Sequence, residues 1–374
     1  MKKIAVVYPT RSGATIYFRL DLPFRRFKKF EIVPYYLPDA EDLPNYNPIE
    51  FIKSIKEDLV IFHRTNYVNQ YLIESLKKMH NKKIIFDTDD LEICLPWDHP
   101  LRGNYPSDVI RDFLVGILRH SDEVWVTTNS LKRAISKFGT TKIIVIKNAI
   151  DSTESQWKTK KVKNDKITIG WVGGTSHLPD LPVCVKGLNK LCEEFNFDLK
   201  ICGIPDKQAS IITSKKYGIR HVLVPVAGKD LYENRIKDLF KIFDKKNRLK
   251  LMKVLPLEKY ATFYDDMDIV VAPLAINAFN DAKSELKILE AGSKGLPIVC
   301  SNSKTYWEFN SNYRDTILLA NNYHDWYKKI KSLIESEELR VNKGKRLKEV
   351  VEVNYDLDYW AELREQRILE VLNQ

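Results

Sequence analysis

Nowhere in the 374 residues does an apolar run approach the roughly 18 residues that a membrane-spanning helix needs, which excludes a transmembrane segment of that kind. Cysteine is scarce. Cys94, Cys184, Cys192, Cys202 and Cys300 are scattered, odd in number and without CxxC spacing. That excludes a disulfide framework and a zinc site, and leaves small core residues in a reducing compartment. The opening MKKIAVVYP lacks signal-peptide architecture, because its apolar run is only a short strand. The expectation is a cytoplasmic chain, peripheral at most to the inner face of a membrane. Although the net charge is +10, no long uninterrupted basic run exists; the nearest concentrations are 158–166 and 241–250. The charge implies an anionic partner such as nucleotide, membrane surface or nucleic acid. Lysine outnumbers arginine more than two to one, however, and an AT-rich genome would produce the same excess.

What is present describes a globular enzyme: 44% hydrophobic and 29% charged residues, with length enough for two domains. From 1 to 150, short apolar runs at 4–8, 32–36, 59–62, 84–86, 123–126 and 142–146 alternate with amphipathic stretches near 17–29, 48–57, 69–80, 106–120 and 130–138. Such alternation predicts a doubly wound parallel sheet. A polar, lysine-rich linker covers 151–166. A second α/β series over 167–353 has strands expected at 167–172, 199–202, 222–226, 269–272, 298–300 and 316–319, with a shorter run at 251–255. The segment 354–374 holds a last amphipathic helix.

The most informative stretch is 267–302. An apolar strand closed by Pro273 leads into a polar loop at 277–281, then a helix opening at Ser284 and stopping near Gly292 or Gly295, then a second strand. Open α/β sheets bind ligands at such strand ends. At 100° per residue, Lys283, Lys287 and Glu290 fall within about 60° of one another on the helix. Free N–H groups at Ser284, Glu285 and Leu286, beside Lys283, suit a phosphate or diphosphate. Glu290, two turns on, sits where a carboxylate can take two ribose hydroxyls. A solvated i,i+3 pair between Lys287 and Glu290, with Lys283 a surface charge, fits the spacing equally well.

Other segments fall at strand ends facing the same cleft. Thr10 to Thr15, with Gly13, precedes Tyr17, Phe18 and Arg19; a lone glycine there is also compatible with a plain turn. His63-Arg64 follows a strand, and Arg64 suits an anionic group of either substrate. Phe86-Asp87-Thr88-Asp89-Asp90 raises a metal–diphosphate reading, because clustered carboxylates need a metal, an arginine partner or raised pKa values. Against metal binding, the motif belongs to a fourth strand, and a second α/β domain would then have no role. In Gly170-Trp171-Val172-Gly173-Gly174-Thr175-Ser176-His177, the paired glycines let backbone approach a phosphate. Lys253 is a further source of positive charge.

The pattern F-N-x-x-K-S-x-L-K-x-L-E-x-x-x-x-G-x-P at 279–297 resembles the donor-binding segment of B-fold (GT-B) glycosyltransferases, especially retaining family 4. Lys147-Asn148-Ala149-Ile150-Asp151 resembles the P-N-G-V-D signature at that family's domain junction, with Lys and Ala at the proline and glycine positions. The stretch from Gly170 to Leu181 resembles G-W-x-G-x-x-x-H-x-x-D-L of bacterial and phage relatives. The resemblance implies two Rossmann-like domains around a cleft, with the last helix packing back on the first. It implies that Glu290 holds the donor ribose and that the helix start holds the diphosphate. Where many members carry a sugar-facing glutamate, this chain has Ala282, so Asp281, Asn280 and His177 become the catalytic candidates. Arg19, Arg64, Asp87, Asp89 and Asp90 become acceptor-side candidates.

The implied activity is transfer of a sugar from a nucleoside diphosphate sugar to a hydroxyl, with retention and without a required metal. The expected acceptor is a surface glycan or lipid-linked saccharide at the membrane face. A hydroxymethylated base in phage DNA is the alternative, and a basic cleft with Tyr17, Phe18, Trp97 and Tyr105 would serve either acceptor. A degenerate transferase that only binds nucleotide or nucleic acid is a third reading, motivated by Ala282.

Overall fold

Twelve parallel strands, six in each of two sheets, form the frame of the computed structural model, which describes residues 1–11, 13–38, 46–64, 67–96, 107–139, 141–158, 162, 164–205 and 229–374. The first sheet contains β1 (Lys2–Tyr8), β2 (Phe30–Tyr36), β3 (Leu59–His63), β4 (Lys83–Thr88), β5 (Glu123–Val126) and β6 (Ile143–Val145), in the order β2-β1-β3-β4-β5-β6. The second contains β7 (Thr168–Val172), β8 (Asp198–Ile204), β9 (Leu249–Lys253), β10 (Ile269–Ala272), β11 (Ile298–Ser301) and β12 (Leu318–Ala320), in the order β12-β11-β10-β7-β8-β9. This is the GT-B architecture of two Rossmann-like domains. Helices cover both faces of each sheet, so central strands are buried on both sides and read as continuous apolar runs. Ile61, Ile85, Phe86, Val124 and Ile269 all have no exposed surface.

The apolar runs at 123–126 and 269–272 are strands with those limits; the other described runs are strands whose ends lie within two residues of expectation. The candidate strand at 222–226 lies outside the described residues. The edge place beside β8 is taken by β9, which carries Lys250 and Lys253 and so lacks the signature of a buried strand. Charged edge strands are ordinary, since their outer side faces water.

The first helical run is continuous from Ala14–Ile16 through a π-turn at Tyr17–Asp21 to Leu22–Phe24. Pro23 cannot donate the bond that would return to the Arg19 carbonyl, which favours a locally wider turn. The last helix, Leu357–Leu372, lies against the N-terminal sheet. Ile368 and Val371 pack with Ile4, Val6 and Leu20, and Glu365 accepts from the backbone N–H of Lys28 and of Lys29. Chain from beyond the second sheet thus completes the first domain.

Candidate active site

A cavity of about 460 Å³ lies between the two sheets, at the carboxyl ends of β1, β3, β4, β7 and β10. Its C-terminal wall is the helix Leu286–Ser293 together with the turn before it. Glu285 occupies the N-cap position in place of Ser284. The helix ends where Gly295 takes a φ of 66°, with Leu296 N–H bonded to the Ala291 carbonyl. The expected loop at 277–281 contains a short helix, Ala278–Asp281, whose Asn277 side chain caps it by accepting from Asn280 N–H.

Lys283, Ser284, Leu286, Lys287 and Glu290 all line the cavity. Lys287 and Glu290 are an i,i+3 pair at 2.7 Å, yet the pair is not solvated: Glu290 is only 1% exposed. Tyr260 and Tyr264 direct their hydroxyls onto the same carboxylate. These tyrosines belong to the 3-10 run Leu257–Tyr264. Their spacing of four residues was the available signal in the sequence, but nothing local says which group they face.

Opposite the helix, β7 delivers Gly173, Gly174 and His177 to the cavity. A Cβ on Gly173 would lie 2.4 Å from the Trp171 ring, and one on Gly203 (φ 99°) would lie 2.1 Å from the Gly173 carbonyl. Here glycine is demanded by protein packing. Gly174 has open space around it and is the position where a phosphate oxygen can approach backbone. His177 Nδ1 lies 2.9 Å from Asp180 Oδ2, which selects the tautomer with its proton on Nδ1 and leaves Nε2 as the remaining ring nitrogen. Burial lowers the His177 pKa and Lys283 and Lys287 push the same way, against the opposing pull of Asp180.

The N-terminal wall carries Arg64, Asp89 and Asp90. Arg64 sits at φ 71°, held by its N–H to the Asp87 carbonyl and by Asn69, whose side chain donates to the carbonyls of His63 and Arg64. Its Nη2 lies 3.6 Å from a carboxylate oxygen of both Asp89 and Asp90. Lys283 Nζ crosses the cleft to within 3.4 Å of Asp90 Oδ1. Burial alone would raise the Asp90 pKa, but Lys283 and Arg64 hold it below its ordinary value.

Several expected site residues are placed elsewhere. Asp87 turns into the interior, where Arg19 grips both its oxygens and His63 Nδ1 lies 2.8 Å from Oδ1. Arg19 touches the cavity wall, yet its guanidinium is consumed by Asp87, the Ile146 carbonyl and Asn148. Neither presents a free group to an acceptor, and this corrects their expected acceptor role. The pair instead anchors the helix start, since Asn148 Nδ2 donates to Ser284 Oγ at 3.1 Å. The Glu285 side chain points to Tyr355 Oη (2.8 Å) and Lys147, so only its backbone N–H remains for the donor.

Asp281 is not on the cavity. Its carboxylate accepts from Lys304 N–H at 3.1 Å and pairs with Lys304 Nζ. Asn280 donates to Asp180 and to the Ala275 carbonyl. The structure therefore corrects the catalytic expectation for both: capping and loop hydrogen bonds claim them. Thr175 and Lys253 are exposed and lie off the cavity wall, as does Gly13; Ser176 and Val254 line it instead. Tyr17 and Phe18 are both buried, but Phe18 lines the cavity while Tyr17 does not, and Trp97, Tyr105 and Ser12 lie outside the described residues.

Because the Asp281–Lys304 pair is partly exposed, it is worth about 0–1 kcal/mol. Asp281→Asn should leave turnover within about twofold of the parent and the melting temperature nearly unchanged. A large loss of kcat in this variant would restore Asp281 to the chemistry.

Among the described residues no group of three or more His, Cys, Asp or Glu side chains is arranged to hold a metal ion. Nor is any described helix long and apolar enough to cross a membrane.

Residues 153–350, more than half of the chain, match the model of the family described as glycosyl transferases group 1. The chain belongs to this family. It is a nucleotide-sugar-dependent glycosyltransferase, and its fold agrees with solved structures of distant sequence. Sucrose-phosphate synthase from Thermosynechococcus elongatus superposes with a TM-score of 0.73 at 13% identity, with 100% of both chains covered. A glycosyltransferase from Rickettsia africae gives 0.69 at 14% identity over 99% of this chain and 98% of that one. Anabaena HepE, solved in complex with UDP and glucose, gives 0.68 at 12% identity over 100% of both chains. No curated protein sequence matches this glycosyltransferase.

Proposed function

We propose that this glycosyltransferase moves a hexosyl or related sugar from a nucleoside diphosphate sugar to a hydroxyl of a surface glycan or lipid-linked saccharide, with retention of configuration and no metal. The observation that carries this reading is the convergence of Lys283, the first N–H groups of the helix, the Gly174 backbone and Glu290 on one cavity. In the reaction the bond from the anomeric carbon to the diphosphate oxygen breaks, the acceptor oxygen bonds to that carbon, and the acceptor proton passes to an oxygen of the departing diphosphate. Negative charge grows on the departing diphosphate. Pre-placed N–H groups and Lys283 stabilise that charge without reorganisation. UDP is the first donor nucleotide to test, because HepE was solved with UDP-glucose.

With Ala282 buried at 2% exposure and Asp281 and Asn280 turned away, the cavity carboxylate paired with Lys283 is Asp90, at 3.4 Å, and Asp89 lines the same wall. They and Arg64 are assigned to hydroxyls of the transferred sugar and the acceptor. The net positive charge supports peripheral attachment at the inner face of a membrane, where a lipid-linked acceptor is presented.

A donor-hydrolysis screen over UDP, GDP, ADP and dTDP sugars, with and without excess EDTA, tests the reading. One donor should turn over slowly without acceptor, and equally fast in EDTA. Turnover abolished by EDTA and restored by manganese would move the diphosphate role to a metal. No turnover of any donor would leave a nucleotide-binding protein only.

A further inference from the structure

The Glu290 carboxylate already accepts more hydrogen bonds than a ribose partner can leave in place. Tyr260 Oη lies 3.2 Å from Oε1 and 3.1 Å from Oε2, Tyr264 Oη donates to Oε2, and Lys287 Nζ lies 2.7 Å from Oε2. A carboxylate offers about four lone-pair positions, two on each oxygen. Oε2 faces three donors, whereas Oε1 receives only a shared and longer bond. One ribose hydroxyl can therefore add at Oε1 with nothing displaced. A second hydroxyl must remove a donor from Oε2.

The three donors differ in their freedom to leave. Tyr264 is 1% exposed within the core cluster. Tyr260 is fixed edge-on between Phe263 and Tyr264, at centroid distances of 6.0 and 6.5 Å. Lys287 is a quarter exposed and carries its ammonium on a flexible four-carbon stem. It belongs to the first turn of the helix whose N–H groups face the cavity, and helical side chains lean toward the N-terminus. Its ammonium now lies 5.3 Å from the Tyr260 ring centroid and 2.5 Å from Tyr260 Oη, to which it also donates. A swing toward the helix start exchanges both of these contacts and the bond to Oε2 for the diphosphate.

We propose that Lys287 is a relay that couples ribose recognition to diphosphate recognition, an inference that rests on the donor-site reading above. When both ribose hydroxyls bond to Glu290, the lysine leaves Oε2 and pairs with the diphosphate. A nucleotide with a single ribose hydroxyl is satisfied at Oε1 and leaves Lys287 where it is. The ammonium stays charged throughout, passing from one anionic partner to another, and charge-assisted bonds make the exchange near-balanced. The relay gives this enzyme a specific preference: ribonucleoside diphosphates over their 2′-deoxy counterparts, by more than the loss of one hydroxyl bond. A dTDP-sugar is then a poor donor.

The coupling is measurable by competition binding on the full-length protein with UDP, GDP and ADP, their 2′-deoxy forms, and the corresponding nucleosides. For the tightest base, removing the 2′-hydroxyl should weaken the diphosphate about tenfold more than it weakens the nucleoside. In Lys287→Met, which keeps the stem and removes the ammonium, the two penalties should become equal. Lys287→Arg should retain part of the difference. A merely structural lysine would lower all affinities together and leave the penalties unequal or equal as in the parent. Equal penalties in the parent protein overturn the relay while leaving the donor site intact, and so does a difference that persists in Lys287→Met. Failure of every nucleotide to bind overturns the donor-site reading along with it.

Discussion

Asp87→Asn should destabilise the protein by about 3–5 kcal/mol, the usual result of removing one partner from a buried ion pair. Asp87 and Arg19 are each 1% exposed. Behind them lies Arg364 of the last helix, also 1% exposed, whose Nε and Nη2 have no hydrogen-bond partner among the described residues. Burial pushes the Arg364 pKa down to about 9, and the neighbouring Arg19 charge pushes the same way while Asp87 opposes. Asparagine keeps the shape but removes the negative charge that compensates two buried guanidinium groups. For a chain of this size the melting temperature should fall by about 4–6 °C. Thermal or urea unfolding checks this, and adding Arg19→Met to Asp87→Asn should recover part of the loss. A stable Asp87→Asn protein with impaired transfer would return Asp87 to substrate binding.

The same site sets an acid limit. Burial alone would raise the Asp87 pKa, but Arg19 and His63 hold it well below the ordinary carboxylate range. A carboxylate depressed in the fold contributes stability that is fully present above its unfolded pKa of about 3.9, and loses it as pH falls through the lower folded value.

Glu290→Gln should lower donor affinity about ten- to a hundred-fold, because two charge-assisted bonds to ribose become neutral ones at roughly 1.5–3 kcal/mol. The loss should shrink for a 2′-deoxyribonucleotide donor, which has already lost one partner. Helical spacing alone places this side chain on the cleft and predicts an unaffected fold. The structure adds a stability cost, since the carboxylate is 1% exposed and collects Tyr260, Tyr264 and Lys287. A glutamine amide would turn a donor toward one of those donors. Titration calorimetry and a melting curve on one preparation separate the two effects. Unchanged donor affinity in Glu290→Gln, with affinity lost in Lys287→Met, would show that the wrong side chain has been matched to the ribose.

The sequence by itself determined the strand–helix alternation, the two sheets and the helix that lines the cleft. Strands covered on both sides must be apolar throughout, and a helix face repeats every 3.6 residues, so both patterns are written locally. Lys283, Lys287 and Glu290 were legible together for that reason. β9 was not read as a full strand, because an edge strand faces water on one side and its lysines break the apolar run.

What each carboxylate does was decided only by the tertiary structure. Asp87 and Asp89 are two apart and would share a face in a continuing strand, but β4 ends at Thr88. Beyond that point alternation no longer applies: Asp87 meets Arg19 inside, and Asp89 turns to the cavity. Asp281 looked catalytic from its place beside Ala282, yet Lys304, which opens the helix Lys304–Asn312 beyond the following strand, takes its charge. Tyr260 and Tyr264 reach Glu290 across about thirty residues of chain, and Arg364 reaches the Arg19 site from the far end of the sequence. A charged side chain finds its partner through space, and no period in the sequence records that distance.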